Sequence, residues 1–578
     1  MTAGDRLGAW REPEGDYCFR LWAPAAQRVE LVLDGEALEM QAEADGCHVL
    51  RRACTPGTRY RFRIDGTLSV PDPASRWQPE GLNGASAVHD ADAYAWQHAD
   101  WAGRPWEEAV ICEVHVGAVG GYAALQAQLP ALASMGITAL ELMPLATFPG
   151  TRNWGYDGAL PYAPAPAYGS PEELKQLIDH AHALGLMVLL DVVYNHFGPE
   201  GNYLPAYAPA FFREDVKTPW GAAIDFRQPQ VQRFFIDNAL MWLREYRFDG
   251  LRLDAVHAIQ PQTFLTQLRE AIHTQGPAHR VHLVLENENN AASLLADGYT
   301  AQWNDDFHNA LHVLLTGEDE GYYADFSAAP TAQLARVLGE GFAWQGETNR
   351  LGHRRGEPSA ALSPAQFVIF AQNHDQIGNR AFGDRLQTLV APERLQVALA
   401  LTALTPMIPL FFMGEPWGAR EPFLFFTDFD APLDQAVREG RRAEFGHFAA
   451  FADPHVQATI PDPNAITTFQ ASQAPLPSPQ ARQENAWLAA FRNMLAVRWQ
   501  HLVPQLRDAR SLGAEVIGEG AVRAGWQLAD GQWWLAFNLG TAEVAAELPY
   551  GETVLELGKV GHGQVLAPAA LLVRRVRA

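Results

Sequence analysis

Between residues 110 and 415 the chain alternates short apolar runs with longer amphipathic stretches. Eight runs read as strands: VICEVHVG, TALELMPLA, LMVLLDVVYNH, FDGLRLDAV, VHLVLENEN, QWNDDF, FVIFAQNHD and MIPLFFMGE. Between them lie helix-like stretches such as YAALQAQLPALASMG, PEELKQLIDHAHALG, VQRFFIDNALMWLREY and TFLTQLREAIHTQ. Strands that are apolar on both faces belong inside a parallel sheet covered by crossover helices. Eight such units predict a closed (β/α)8 TIM barrel.

The flanks have a different period. Residues 1–90 carry YCFRLWAP, RVELVLDG and TRYRFRID, short strands punctuated by Gly, Pro and Asp. That spacing predicts an N-terminal immunoglobulin-like β-sandwich. After the helical NAWLAAFRNMLAVRWQ, residues 506–578 alternate as in WQLADGQWWLAFNLG, which predicts a C-terminal antiparallel β-domain. The expected class is multidomain α/β, with the barrel and its loop insertions over 91–505. Three polar stretches break the barrel pattern: NHFGPEGNYLPAYAPAFFRED, DDFHNALHVLLTGEDEGYYADF and the region from about 417 to 480. The first reads as an excursion over the barrel mouth, the other two as insertions.

Composition narrows the function. The net charge of −24 repels polyphosphates, so no nucleic-acid partner is expected. No apolar run approaches the ~18 residues of a membrane span, and the first residues lack a basic-then-apolar signal pattern, so no membrane partner is expected and the location reads as cytoplasmic. Cys18, Cys47, Cys54 and Cys112 have no metal-ligand spacing. A local disulfide among the first three is open, with free cytosolic thiols preferred. The working expectation for assembly is a monomer.

The ends of the predicted strands carry the chemistry. In a barrel of this type active sites sit at the C-terminal ends of the strands. The third ends with Asp191, Asn195 and His196, and the fourth with Arg252, Asp254 and His257. The fifth ends with Glu286 and Glu288, the seventh with Asn373, His374 and Asp375. Strand alternation puts Arg252 and Asp254 on one side, where the guanidinium favours an ionised nucleophile. Glu286, behind an apolar run, suits a protonated acid; Glu288 shares its parity and is the rival. Asp375 is a third carboxylate, placed to stabilise a cationic transition state. A carboxylate nucleophile and a carboxylic acid are the two groups that glycoside hydrolysis requires.

DVVYNH, GLRLDAVH, the glutamate of LVLEN and QNHD resemble the four sequence regions of the α-amylase superfamily. Within it, EVHVGAV, ELMPLATFPGTRNWGYDG, LLDVVYNHFGPEGNYL, QNHDQIGNR and VREGRRAEF are similar to the maltooligosyltrehalose trehalohydrolases, over nearly the whole chain. The resemblance implies a retaining hydrolase that cuts the α-1,4 bond beside the terminal trehalose of maltooligosyl trehalose. Trehalose and a shorter maltooligosaccharide are the implied products. It implies Asp254 as nucleophile, Glu286 as acid/base and Asp375 as transition-state stabiliser, with no cofactor and no metal. Tyr156 is implied to stack on the sugar at the cleavage point, and His196, Arg252 and His374 to hold hydroxyls or orient Asp254. Asp157, Asn373 and Gln376, in the same motifs, are further substrate-binding candidates. Many amylases bind calcium through the asparagine equivalent to Asn195; a hydrogen-bonding role is expected here. FFMGEPWG departs from the family in placing Pro416 where a second acid is usual.

Other residues have plainer readings. Asp191 is expected to hold a neighbouring loop or arginine, and His257 either caps its strand or touches substrate. Of Trp154, Trp303 and Trp344, Trp154 is the best candidate to stack on glucose. The run REGRR at 438–442 reads as a solvated helix face, although the family places it near the mouth. Aromatics of the first zone read as sandwich core. The alternatives are a glycogen branching or debranching enzyme and, from another class, a non-catalytic glycan-binding protein on the same scaffold.

Overall fold

A computed structural model describes residues 6–218, 221–446, 448–451 and 453–577. The barrel strands are β1 (Ile111–Val114), β2 (Ala139–Leu142), β3 (Met187–Val192), β4 (Gly250–Leu253), β5 (His282–Leu285), β6 (Ala301–Trp303), β7 (Phe367–Ile369) and β8 (Ile408–Phe412). They pair in sequence order, all parallel, and β8 closes on β1. All eight predicted strands are present. Every residue of these strands is buried, as a sheet walled by helices requires. Ser170 caps the helix Pro171–Ala183 with a reciprocal bond from Glu173, the S-x-x-E box visible in SPEE.

The N-terminal strands form two antiparallel sheets. Phe19, Leu31 and Phe62 are fully buried between them. Cys18, Cys47, Cys54 and Cys112 are all free thiols. Near the C-terminus, a five-stranded antiparallel sheet runs in the order Arg510–Gly518, Ala521–Leu528, Gly531–Asn538, Ala570–Arg577, Glu552–Leu557. It docks on the barrel through Trp533, whose Nε1 donates to the Leu404 carbonyl at 2.8 Å. No helix among the described residues is long and apolar enough to cross a membrane.

The excursion after β3 contains a short helix, Leu204–Tyr207, and the hairpin Phe212–Thr218 with Gly221–Ile224. The stretch DDFHNALHVLLT, read as an insertion, is instead the barrel helix Asp305–Thr316 that follows β6. The added elements there are the helix Pro330–Glu340 and the hairpin Gln345–Thr348 with Arg354–Gly356. After β8 the chain forms the helix Leu433–Phe445. Its basic run is not simply solvated: Arg441 is buried, lies 4.6 Å above the Phe445 ring and donates to the Gly378 carbonyl at 2.6 Å. That bond ties the insertion to the segment after β7.

Candidate active site

The site is built around one guanidinium. Gly250 lets β4 pass close to β5, since a Cβ there would lie 2.3 Å from the His282 carbonyl oxygen. Two residues on, Arg252 is buried inside the barrel. Its Nη1 donates to Asp191 Oδ2 at 2.7 Å and to Asp254 Oδ1 at 2.9 Å, and its Nη2 lies 2.8 Å from Glu286 Oε2. Below it, the Trp303 ring is 4.0 Å away. Arg252 therefore joins the ends of β3, β4, β5 and β6. A buried cation needs such partners, because an unpaired one is severely penalised.

Asp254 is held on both oxygens, Oδ1 by Arg252 and Oδ2 by Asn195 Nδ2 at 2.6 Å. Acceptor bonds on each oxygen are the pattern of a carboxylate. Asn195 thus has the hydrogen-bonding role expected of it. The next residue, Ala255, takes a left-handed conformation at φ 41°, rare for a residue with a Cβ and characteristic of functional turns. This aims its N–H at Glu286 Oε2, 2.9 Å away. Burial pushes the Glu286 carboxyl up; Arg252 opposes this, and the charge of Asp254 pushes the same way as burial. Arg252 and the Ala255 N–H thus hold the Asp254 and Glu286 carboxyls on one shared set of donors. Glu288, in contrast, has a side chain 73% exposed and sits 3.7 Å from His257 Nε2 at the rim. The structure brings Glu286, not Glu288, to Asp254.

After β7 the polar run QNHDQ is a helix cap. Asn373 Oδ1 accepts from the N–H groups of Asp375 and Gln376 at 2.9 and 3.4 Å, and Gln376 Oε1 accepts from the Asn373 N–H at 3.0 Å. This capping box starts the helix His374–Gly378 and presents Asp375 on its first turn. Asn373 is completely buried and Gln376 nearly so; their amide oxygens serve the cap, and Gln376 Nε2 donates to Asp305 Oδ1 at 3.4 Å. Asp375 Oδ1 accepts from Asn379 Nδ2 at 2.6 Å. Burial raises its carboxyl, His374 opposes this, and the charge of Glu286 adds to the rise. His374 Nδ1 contacts Glu113 Oε1. Burial disfavours the imidazolium, but Glu113 outweighs it and the histidine is shifted upward.

Tyr156 stacks on the His374 ring with centroids 5.2 Å apart and donates its hydroxyl to Asp191 Oδ2 at 2.6 Å. Asp191 is raised to about 7 by burial, with Arg252 opposing. His196 is buried; its Nε2 is 2.9 Å from the Tyr156 carbonyl and its Nδ1 contacts Asn195 Oδ1. It reaches Asp254 through Asn195. Trp154 is the candidate to stack on glucose. It is 5% exposed, one face lies on Phe423 at 5.4 Å, and its Nε1 donates to the Leu424 carbonyl at 2.9 Å. It is the packing layer behind His374, 5.6 Å away. Trp303 is likewise buried. Asp157 remains half-buried and accepts from Asn153 Nδ2 at 2.7 Å. His257 is half-exposed.

Four acids at other strand ends escaped the sequence reading. Glu113 and Glu141 are register partners on β1 and β2, both buried. Burial and the neighbouring Glu113 push Glu141 far up. Asp305, just past β6, is raised to about 8 by burial and by the charges of Glu286 and Asp375, and accepts from Gln376 Nε2 at 3.4 Å. Glu415, after β8, is raised to about 8 by burial and accepts from the Phe412 N–H at 3.1 Å. An acid within an otherwise apolar strand, as in VICEVHV, was the available signal. Glu415 also answers the departure at Pro416: the acid present points back into the β8 turn.

Comparison with known proteins agrees with this architecture. Residues 91–209 match the family described as alpha amylase, catalytic domain. Residues 6–78 match carbohydrate-binding module 48, the isoamylase N-terminal domain, and 509–573 a domain of unknown function, DUF3459. The malto-oligosyltrehalose trehalohydrolase of Deinococcus radiodurans is 41% identical over 88% of this chain and 85% of its own length. The chain belongs to the malto-oligosyltrehalose trehalohydrolase family. It is a glycoside hydrolase of the α-amylase type. The trehalohydrolase of Saccharolobus solfataricus is 39% identical over 80% of this chain and 83% of its own. A crystal structure of a Salmonella typhimurium protein, provisionally described as an alpha amylase, superposes with a TM-score of 0.93 at 44% identity, covering 99% of each chain. A 1,4-alpha-glucan branching enzyme of Bordetella bronchiseptica is 34% identical but over only 41% of this chain. The two trehalohydrolases each cover at least 80% of this chain.

Proposed function

We propose that this protein hydrolyses the α-1,4-glucosidic bond next to the terminal trehalose of maltooligosyl trehalose, with retention, releasing trehalose. The observation that carries the chemistry is the Arg252 clamp, which holds Asp254 and Glu286 side by side. The choice of substrate rests on the family.

In the first step Asp254 attacks the anomeric carbon while Glu286 gives its proton to the departing oxygen of trehalose. The raised Glu286 carboxyl supports its arriving protonated. A maltooligosyl ester on Asp254 results. Glu286, now ionised, takes a proton from water, which opens the ester. Asp375 lies beside the positive charge that develops on the ring, and Asp305 shares that wall. Tyr156, backed by His374, offers a ring face to the sugar at the cleavage point. Arg252, Asn195 and His196 fix Asp254 rather than touch substrate. The free thiols support a cytoplasmic location, and the origin of every catalytic carboxyl in one chain supports action as a monomer.

The test is a digest of maltooligosyl trehalose beside the plain maltooligosaccharide of equal length. Trehalose released from the first, with slow cleavage of the second, is expected. New α-1,6 branches, or linear chains released from glycogen, would assign the branching or debranching reading instead.

A further inference from the structure

A cavity of about 420 Å³ lies away from the catalytic cluster. It opens between the N-terminal sandwich and the barrel helix Pro229–Glu245, whose last turn supplies Arg244 and Glu245. Helices that precede a strand end at the opposite face of the barrel from the catalytic mouth. Four guanidiniums line it: Arg6, Arg11, Arg76 and Arg244. Four carboxylates, Asp90, Asp92, Asp237 and Glu245, line it as well, so the question is which cationic N–H groups they leave unpaired.

Two of the four are already neutralised. Arg11 pairs with Asp90 at 3.1 Å, and Arg76 Nε with Glu245 at 3.2 Å. Arg76 is only 7% exposed, and its Nη1 has no hydrogen-bond partner among the described residues. His89, equally buried, has an unpartnered Nε2. A buried donor without an acceptor is costly, and both side chains line the cavity. Arg6 and Arg244 meet there as like charges; partial burial and that repulsion act against the Arg244 cation, with Asp237 and Glu245 offsetting part of it. An anion in the cavity relieves all three. Guanidiniums are suited to phosphate oxygens, which they bind through two parallel N–H groups. The volume falls in the ~300–1,000 Å³ range of small-molecule sites and exceeds what a bare inorganic anion fills. Asp92 and Gln275 offer acceptors for hydroxyl groups, beside the indole of Trp10.

We propose that this cleft binds a small phosphate monoester of a sugar, with its phosphate on Arg76, His89 and Arg244 and its hydroxyls toward Asp92 and Gln275. Such a ligand bridges the sandwich and the barrel, so binding stabilises their contact. The full-length protein is titrated calorimetrically with glucose 6-phosphate, inorganic phosphate and glucose at one ionic strength. Saturable one-site binding of the ester is expected, with phosphate at least 10-fold weaker and glucose silent. Arg76→Gln and Arg244→Gln should each weaken the ester at least 10-fold. The exposed Arg244 keeps the test independent of folding, and its variant should hydrolyse maltooligosyl trehalose at the wild-type rate. Equal affinity for inorganic phosphate would assign the cleft to the free ion and overturn the ester. Binding of glucose as tight as the ester, no binding of either phosphate, or affinity unchanged in Arg244→Gln would also overturn the proposal.

Discussion

Arg252 Nη2 stands 2.8 Å from Glu286 Oε2, a cation set against the very group that must carry a proton. Burial and the adjoining Asp254 still prevail and hold the glutamate above its ordinary range. The pairing predicts different chemistry for its two neighbours. Glu286→Gln should lose several orders of magnitude in kcat on maltooligosyl trehalose, while a maltosyl fluoride, whose leaving group needs no proton, keeps most of its rate of enzyme glycosylation. Glu288→Gln should stay within about threefold of wild type. Steady-state and burst kinetics on both substrates separate the cases.

The same shift sets the alkaline side of the pH profile. Glu286 must be protonated for the first step, so kcat/KM should fall as pH rises through its raised pKa, above the free glutamate value of ~4.3. The fluoride substrate should lack that limb in its glycosylation step. A profile measured with both substrates shows whether the limb depends on leaving-group protonation.

Asn195 is predicted to act through Asp254. Asn195→Ala removes the 2.6 Å bond to Oδ2, leaving the carboxylate on Arg252 alone. A 10²-fold loss in kcat is expected with KM changed less than threefold, since misplacement of a reacting group costs about that much. A loss carried by KM instead would mean that Asn195 binds sugar.

Trp154 distinguishes packing from stacking. Its ring fills the space beside Gly378, where an added Cβ would come within 2.0 Å of it. Trp154→Ala should cost about 3–5 kcal/mol of stability by leaving a cavity. Denaturant titration reads that loss. Tyr156→Ala should in addition raise KM with a fall in kcat, because its ring is the one offered to the sugar.

Glu415 gives a stability prediction with a definite sign. Its carboxyl is raised to about 8 in the fold from 4.5. Between those values the native state keeps a proton that the unfolded chain has released, so stability falls as pH rises through the window. The full effect is on the order of a few kcal/mol. Glu415→Gln, which keeps the acceptor for the Phe412 N–H, should flatten that decline between pH 5 and 8, read as unfolding free energy at each pH.

Barrel and flanking sheets were legible because hydrophobic period reports burial directly: β3 and β8 are buried on both faces, and the sandwich strand Arg59–Ile64 alternates. Asp254, Glu286 and Asp375 were legible because each follows an apolar run. Other roles were not legible. Asn373 and Trp154 sit inside motifs with functional residues, and only three-dimensional packing shows that one caps a helix and the other backs a ring. Glu113, Glu141 and Glu415 lie in or next to strands where a single acid reads as noise. Their meaning comes from register across β1 and β2 and from the turn after β8, which neither strand encodes alone.

The central claim is that Asp254 forms the covalent link to sugar while Glu286 serves as acid and base. Glu286→Gln incubated with maltosyl fluoride should accumulate a maltosyl ester, because its removal needs the missing base. Mass spectrometry of the digested protein should then place one maltosyl increment on the peptide containing Asp254, absent in Asp254→Asn. An increment on the peptide of Asp375 or Glu288, or rapid turnover with no adduct and inversion of the product anomer, would contradict the account.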